Sequence, residues 1–440
     1  MKKVTFIGGT HVDSFKELTS TYESKKAIPP DFVYIPLSQH IGAPCEANLC
    51  VGEEVLMGQE IGKTLGFVSA PIHSSVSGKV VAIEKKAHPT GRFVNCIVIE
   101  NDKKDTLVDN VKPEENPEAL TGEQIVKKVL DAGIVGLGGA AFPTHVKYTP
   151  PENTKIDYVI LNGIECEPFI TADHRLMLEY PESIVKGLGY ILKATGAKRG
   201  IVAIEDNKMN AIKILTDCCE KYDNIDVVVC AEKYPQGGEK QLIYATTHRE
   251  VPVGGLPLDV GVIVNNVGTA KAVCDAVENN MPLIERMVTV SGTSVDTPAN
   301  YIARIGTLFS DLIEQSGGYT EENNKILSGG LMMGKSMYSD DVPITKGTSA
   351  ILVLKDEGIQ PPKEHTCVRC AKCIDVCPAF LEPTRLAVLT KLNEFTRLDE
   401  EQSIMSCIEC GSCSYVCPAN IPLLEYIRLG KQGVIKSKKK

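Results

Sequence analysis

Apolar and polar positions along the chain change rhythm several times. From Pro29 to about Glu100, short apolar runs at residues 32–36, 51–55, 59–62, 70–73 and 78–83 are separated by Gly and Pro. That punctuation predicts a compact β unit. Residues 101–119 are polar, carry Lys112-Pro113 and Asn116-Pro117, and read as a linker. Thr121 then stands as an N-cap before Ile125, Val126, Val129 and Leu130, which recur at helical spacing. Continuous apolar runs follow at residues 158–162, 200–204, 226–230 and 260–265, with amphipathic stretches at 183–194 and 209–221 between them. Buried parallel strands joined by crossover helices have this signature. Residues 286–354 alternate again, with strands predicted at 287–292, 325–330 and 350–354 and a helix at 309–315, which reads as a small α+β module. Leu386, Leu389, Leu392, Phe395 and Leu398 recur every three residues and predict a helix.

The fold class is therefore multidomain α/β. The expected division is an N-terminal extension at 1–28, a β module at 29–118, an α/β domain at 119–285, an α+β module at 286–356, a helical cysteine-rich domain at 357–430 and a basic tail at 431–440.

With 43% hydrophobic and 23% charged residues over 440 positions, the composition is that of an ordinary globular protein. No apolar run reaches the length of a membrane span, and the stretch after Met1-Lys2-Lys3 is too short for a signal peptide, so a cytoplasmic chain is expected. A net charge of −9 argues against nucleic acid as a partner, which needs a basic face to displace counterions. The lysines at 431, 436, 438, 439 and 440 read as a solvated tail before they read as a contact with a membrane or partner.

Eight of the 16 cysteines fall in two runs that change the picture. Cys367, Cys370, Cys373 and Cys377-Pro378 repeat as Cys407, Cys410, Cys413 and Cys417-Pro418, each a C-x2-C-x2-C-x3-C-P. Three thiolates on one short loop reach three corners of a [4Fe–4S] cube, and in two-cluster ferredoxins the fourth cysteine serves the other cube. The expected ligand sets are Cys367, Cys370, Cys373 and Cys417 for one cluster, and Cys377, Cys407, Cys410 and Cys413 for the second. Zinc hooks lack the third cysteine in step, and disulfide frameworks belong to small secreted domains.

The second chemical signal is glycine-rich. Residues 133–144 contain Gly136, Gly138 and Ala141 in a G-x-G-x-x-A pattern. A Rossmann loop follows a strand, whereas here a helical pattern precedes it, so the literal match is weak. What the glycines permit is close approach of bare backbone N–H groups to a phosphate or flat ring, with Lys147 near enough in sequence to neutralise charge.

The β unit, with V-G-x-x-V-x-x-G-Q-x-I-G and then A-P-I-H and S-G-K-V-V-A-I, resembles the barrel-sandwich fold of biotinyl and lipoyl carriers. Lys63 is the only lysine between Gly62 and Ala70 and lacks the Met-Lys-Met context of a carrier lysine, so the module reads as structural. Residues 133–147 resemble the flavin loop of the NADH-binding flavoprotein subunit of respiratory complex I. The segments at 162–168, 234–239 and 265–269 resemble its other binding segments. Ile35-Pro36-Leu37-Ser38-Gln39-His40, the stretch 66–73, Thr171-Ala172-Asp173-His174-Arg175-Leu176 and Lys346-Gly347-Thr348-Ser349 extend the likeness over nearly the whole chain. There it resembles the RnfC family, the C subunits of the Rnf complex, which is the ion-pumping ferredoxin:NAD oxidoreductase of bacterial membranes.

That resemblance implies a barrel-sandwich module, a Rossmann-like FMN/NADH domain, a β-grasp (SLBB-type) module and a helical domain with two [4Fe–4S] clusters, in that order. It implies FMN held by Gly136, Gly138, Gly139, Lys147, Asn162, Tyr234, Gly237, Asn265, Asn266 and Thr269. NAD(H) would stack on the ring, with Phe142 beside it and Glu167 and Glu239 on the nucleotide side. Ile164 and Gly238 depart from the complex I pattern, which has an aspartate and a glutamate there. The implied partners are the membrane subunits and a ferredoxin-like subunit of the complex, with ferredoxin served indirectly, and peripheral attachment on the cytoplasmic side of the membrane.

NADH gives up two electrons together and an iron–sulfur cluster takes one, so a flavin must stand between them. General acid–base groups are not required, and His145 and His174 read as packing histidines. Two rival readings stay open: a soluble NADH-dependent reductase serving cobalamin or an amino-acid reductase, and a non-catalytic iron–sulfur carrier with an empty flavin fold.

Overall fold

A computed structural model describes residues 3–356 and 363–438. The expected boundary near 357 and the last two lysines of the tail lie outside the described residues.

The β unit is two small sheets facing each other. Phe32–Pro36, Phe93–Asn101, Gly78–Ala87 and Glu54–Val55 form one, and Glu46–Ala47, Glu60–Lys63 and Ile72–His73 the other. Val33, Ile35, Ile61, Ile72, Val80, Ile97 and Ile99 fill the space between them, all with no exposure. The alternation in the sequence thus places one side chain in two inside, as a half-buried strand requires.

The four continuous apolar runs form one parallel sheet in the order Ile225–Cys230, Arg199–Glu205, Tyr158–Gly163, Val262–Asn266. Its helices cover both faces, which is why those strands carry apolar residues at nearly every position. Helix Gly122–Asp131 starts on the expected capping box: Gln124 donates its N–H to the Thr121 hydroxyl and its side-chain oxygen accepts from the Thr121 N–H. The order reverses between Tyr158–Gly163 and Val262–Asn266, and ligands of doubly wound sheets bind beyond the strand C-termini at such a switch point.

The α+β module supplies a six-stranded sheet, Lys25–Lys26, Ala299–Arg304, Glu285–Gly292, Ala350–Lys355, Asn324–Ser328, Lys335–Met337. Its first strand comes from the N-terminal extension. The extension is ordered through backbone pairing: the Val4 N–H donates to the Val229 carbonyl at 3.0 Å, and the Ala231 N–H returns to Val4 at 2.9 Å. Lys16 Nζ then donates to the carbonyls of Glu167 and Ile170 at 2.9 and 2.6 Å.

In the cysteine-rich domain the predicted helix over 386–398 is broken. Pro383–Lys391 ends and Phe395–Glu400 begins anew, because Asn393 takes a left-handed conformation with φ 57°. The three-residue spacing persists because Leu386, Leu389 and Leu398 face the same core. The tail also differs from expectation. Leu423–Ser437 is one helix, buried along Leu423, Leu424, Ile427 and Val434. Lys431 is not solvated: it donates to the Cys407 carbonyl at 3.0 Å and pairs with Glu409 at 2.6 Å.

No helix among the described residues is long and apolar enough to cross a membrane.

Candidate functional site: a crevice at the sheet switch point joined to a cysteine nest

The glycine loop arrives at the switch point from the helix, not from a strand, and turns back on itself. The Gly136 N–H donates to the Phe142 carbonyl at 2.8 Å, which leaves residues 138–140 exposed at the tip. Gly138 lies against Asn266, where a Cβ would meet the amide nitrogen at 2.7 Å, so this position requires glycine. A Cβ on Gly139 would meet nothing within 4 Å, so the space beside the tip is open. The Leu137 N–H donates to the Thr269 hydroxyl at 3.0 Å, tying the loop to the first turn of helix Val267–Asn279.

The asparagines at the strand ends divide their work. Asn266 caps that helix by accepting from the Gly268 N–H at 2.8 Å and donates to Asp173 at 2.6 Å. Asn162 donates to the Gly237 carbonyl at 2.9 Å and accepts from the Ile164 N–H at 3.2 Å. Asn265 is 4% exposed, yet neither end of its amide has a hydrogen-bond partner among the described residues. The buried Tyr148 hydroxyl stands near this amide without a formed hydrogen bond of its own. Buried amides are rarely left so, and an unsatisfied pair at a ligand crevice fits a polar ring edge or ribityl hydroxyls. Lys147 donates to the Val264 carbonyl at 3.0 Å and stands 3.6 Å from Glu239, whose side chain is half exposed.

Not every expected residue gathers there. Glu167 is occupied elsewhere: its two oxygens accept from the Met332 and Met333 N–H groups, both at 2.9 Å, and Gly330 packs on its carboxyl. Burial holds this carboxyl above the ordinary range. Tyr234 is buried, and its hydroxyl donates to the Cys410 carbonyl at 2.7 Å. Glu165, which no sequence signal singles out, accepts from the Asp173 and His174 N–H groups at 2.6 and 3.2 Å. Its carboxyl is raised to about 7 by burial, with Lys16 pulling the other way. Its backbone has φ 50°, and a left-handed non-glycine residue leaves no trace in composition or periodicity. Lys208, 1% exposed, supports the same turn by donating to the Ile164 carbonyl at 2.7 Å and pairing with Glu205 at 3.1 Å. His145 and His174 bond to the Phe67 carbonyl and to Asn210, as packing histidines do.

The two cysteine runs have one backbone shape, repeated at an offset of forty residues. Arg369 and Glu409 have φ 57° and 58°, Ala371 and Gly411 62° and 81°, Phe380 and Asn420 53° and 51°. Each run thereby curls its sulfurs inward around a one-turn helix, Lys372–Asp375 or Ser412–Tyr415. Cys377, Cys407, Cys410 and Cys413 line one cavity, closed by Leu381, Leu424 and Ile427. Burial pushes the Cys407 thiol up to about 11 and Cys413 to about 12, and the nearness of Cys377 adds to both and to Cys410. In the other set, burial raises Cys373, and Cys417 and Cys367 add to it. Cys377 of the first run thus lies with the first three cysteines of the second, and Cys417 of the second lies near Cys367 and Cys373 of the first. Backbone N–H groups of Arg369, Glu409 and Leu381 point at the sulfurs of Cys367, Cys407 and Cys377 at 3.4, 3.4 and 3.3 Å, the arrangement that tunes cluster thiolates. Four converging sulfurs in an apolar shell are a donor set suited to an iron–sulfur cube.

The two sets differ in cover. Residues 363–372 are exposed, Val368 by 66%, whereas Cys410 and Cys413 are buried, Cys413 in the core of its own domain and Cys410 beneath the Tyr234 hydroxyl.

A four-stranded parallel sheet with a glycine loop at its switch point, bonded to a double cysteine nest, defines a flavin and iron–sulfur electron-transfer protein. Residues 129–275 match the Nuo51 FMN-binding domain, residues 4–104 the RnfC barrel sandwich hybrid domain, residues 287–336 the SLBB domain and residues 366–422 the 4Fe-4S dicluster domain. Over 440 residues, all of this chain and 99% of the relative, it is 44% identical to the C subunit of the Na(+)-translocating ferredoxin:NAD(+) oxidoreductase complex of Acetobacterium woodii. It is 46% identical over 96% of its length to the proton-translocating counterpart of Clostridium ljungdahlii, covering 93% of that chain. To the C subunit of the ion-translocating oxidoreductase complex of Rhodobacter capsulatus it is 40% identical, covering 96% of this chain and 82% of that one. The chain belongs to the RnfC family.

Proposed function

We propose that the chain is the NAD(H)-binding, FMN- and iron–sulfur-containing subunit of a membrane-associated, ion-translocating ferredoxin:NAD oxidoreductase. Its partners are the other subunits of that complex, and it sits peripherally on the cytoplasmic face, held by those partners. FMN, when bound, supplies the exchange between a two-electron hydride and single electrons.

What this chain's residues do in that reaction is bind, orient and insulate. The Gly138 and Gly139 backbone admits the flavin nucleotide, Asn265 offers its unpartnered amide to the ring or ribityl chain, and Asn162 and Asn266 fix the walls. Phe142 and the half-exposed Glu239 are assigned to the side where a nicotinamide nucleotide would enter, and Lys147 to a phosphate. Cys377, Cys407, Cys410 and Cys413 hold the covered cluster and Cys367, Cys370, Cys373 and Cys417 the exposed one. The observation that carries the reading is the Tyr234 contact, which joins the segment bonded to Asn162 directly to the cysteine nest.

Anaerobic reconstitution with FMN, iron and sulfide, followed by addition of NADH, tests it. The expected result is one FMN and eight iron atoms per chain with NADH-dependent bleaching of flavin and cluster absorbance. Reconstituted protein that holds clusters yet binds no FMN would show an electron carrier with an empty flavin fold.

A further inference from the structure

The glycine loop is gripped from outside its own domain. Lys346, on the α+β module, is 1% exposed and donates through Nζ to the carbonyls of Pro71 and Gly133, both at 2.6 Å. No carboxylate lies within ion-pair distance of it among the described residues, so two backbone dipoles are its direct partners. Gly133 has φ 63°, and a Cβ there would run into the Pro71 carbonyl and the Lys346 amine. A second buried side chain holds the loop four residues on. Arg286, 5% exposed, donates through Nη2 to the Leu137 carbonyl at 3.1 Å and through Nε to the Thr348 carbonyl at 3.2 Å.

In a trans peptide the C=O and the following N–H point in opposite directions. With the Leu137 carbonyl drawn onto Arg286, the Gly138 N–H is aimed away from the module, and it has no acceptor among the described residues. A donor oriented in advance toward an open space is how backbone loops receive anionic or carbonyl oxygens.

We propose that Lys346 and Arg286 are positioning residues, a two-point clamp from the SLBB-type module that orients the Gly133–Leu137 segment and so presents the Gly138 N–H to the flavin nucleotide. This rests on the reading that the loop receives FMN. It gives the α+β module a task that its sheet alone does not explain: both side chains reach the loop through its carbonyls.

The test uses the full chain with its clusters reconstituted. FMN binding, followed by quenching of flavin fluorescence, is expected to weaken at least ~10-fold in Lys346→Met and in Arg286→Met, with iron content kept, and to recover to within about threefold in Arg286→Lys, which retains a donor for Leu137. Amide hydrogen exchange on the FMN-free wild type is the second measurement and needs no variant. Ile134 and Leu137 are expected to exchange slowly before any flavin is added, and the Met variants that fold to exchange faster at those two amides. Fast exchange there in the FMN-free wild type, or wild-type FMN affinity in a folded Met variant, overturns the clamp. Failure of the wild type to bind FMN while both amides remain protected overturns the flavin reading instead and leaves the clamp standing as loop support.

Discussion

The Tyr234 hydroxyl donates to the Cys410 carbonyl across 2.7 Å, with both residues buried. Tyr234 opens the turn whose Gly237 carbonyl accepts from Asn162 near the C-terminal end of the central strand Tyr158–Gly163, and Cys410 is the middle cysteine of the covered nest. Two residues 176 positions apart in the chain thereby fix their domains to each other at the point where electrons must cross. The Gln241 amide adds a second link, donating to the Pro378 carbonyl at 3.2 Å.

Replacing Tyr234 by Phe removes that donor and leaves a buried carbonyl unpaired, at a cost of about 1–3 kcal/mol. In stopped-flow measurements the cluster absorbance is expected to bleach several-fold more slowly after NADH is added, with the flavin phase less affected. Equal slowing of both phases would mean that Tyr234 serves the flavin crevice more than the junction.

Asn265 and Asn266 make opposite predictions although they are neighbours. Asn266→Ala removes a helix cap and the Asp173 bond, and is expected to lower stability by about 1–2 kcal/mol. Asn265→Ala removes an amide that has no formed hydrogen bond among the described residues, so the FMN-free form is expected to lose little stability while FMN affinity falls about 10–100-fold. Thermal melts with and without FMN separate the two.

Glu167→Ala frees the Met332 and Met333 N–H groups and should detach the 329–334 turn from the flavin-type domain. The expected loss is about 2 kcal/mol, seen as a lower melting temperature and faster amide exchange in that turn.

Lys346 carries a pH dependence. Burial lowers its amine to about 7, with Cys45 and Glu60 pulling the other way and His40 and His73 facing the same site. The unfolded chain keeps that proton to about 10.4, so between these values the unfolded state binds more protons and stability rises with pH. The difference in stability between wild type and Lys346→Met is expected to move in favour of the wild type from about pH 7 to pH 9, by at most about 1.4 kcal/mol per pH unit. A difference independent of pH would show that the amine is not held in its neutral form.

Much of this was legible in the chain because it depends on local rules. The four apolar runs became the four parallel strands, Thr121 its capping box, and the cysteine spacing a repeated curl, since each is set by neighbours within a few residues. The N-terminal extension, by contrast, gave no sign that Lys25–Lys26 would edge a sheet 270 residues away, because exposed edge strands carry no apolar alternation. Lys346 stands in the sequence only as part of a motif and Arg286 carries no signal there; their burial depends on carbonyls contributed by three modules. Glu167 and Tyr234 were drawn to the flavin by their place in the motif, and the structure engages the carboxylate and the hydroxyl at domain junctions. Asn393 and the tail helix show the same limit: a left-handed residue breaks one helix, and packing of Val434 extends another.

The exposure difference between the cysteine sets bears on where electrons leave. Cys370→Ser acts on the exposed cluster, beside Val368 and Arg369, and should abolish transfer to one-electron acceptors while NADH still reduces the flavin. Loss of FMN in that variant would show that the domains are not separable in this way.

Entry of hydride equivalents at the glycine loop and their exit as single electrons through the cysteine nest can be followed together in an anaerobic titration of the reconstituted full chain with NADH, read by optical and EPR spectra. Flavin bleaching accompanied by EPR signals of two interacting [4Fe–4S] clusters is the expected result. Clusters that stay oxidised while the flavin is fully reduced, with dithionite able to reduce them, would contradict it.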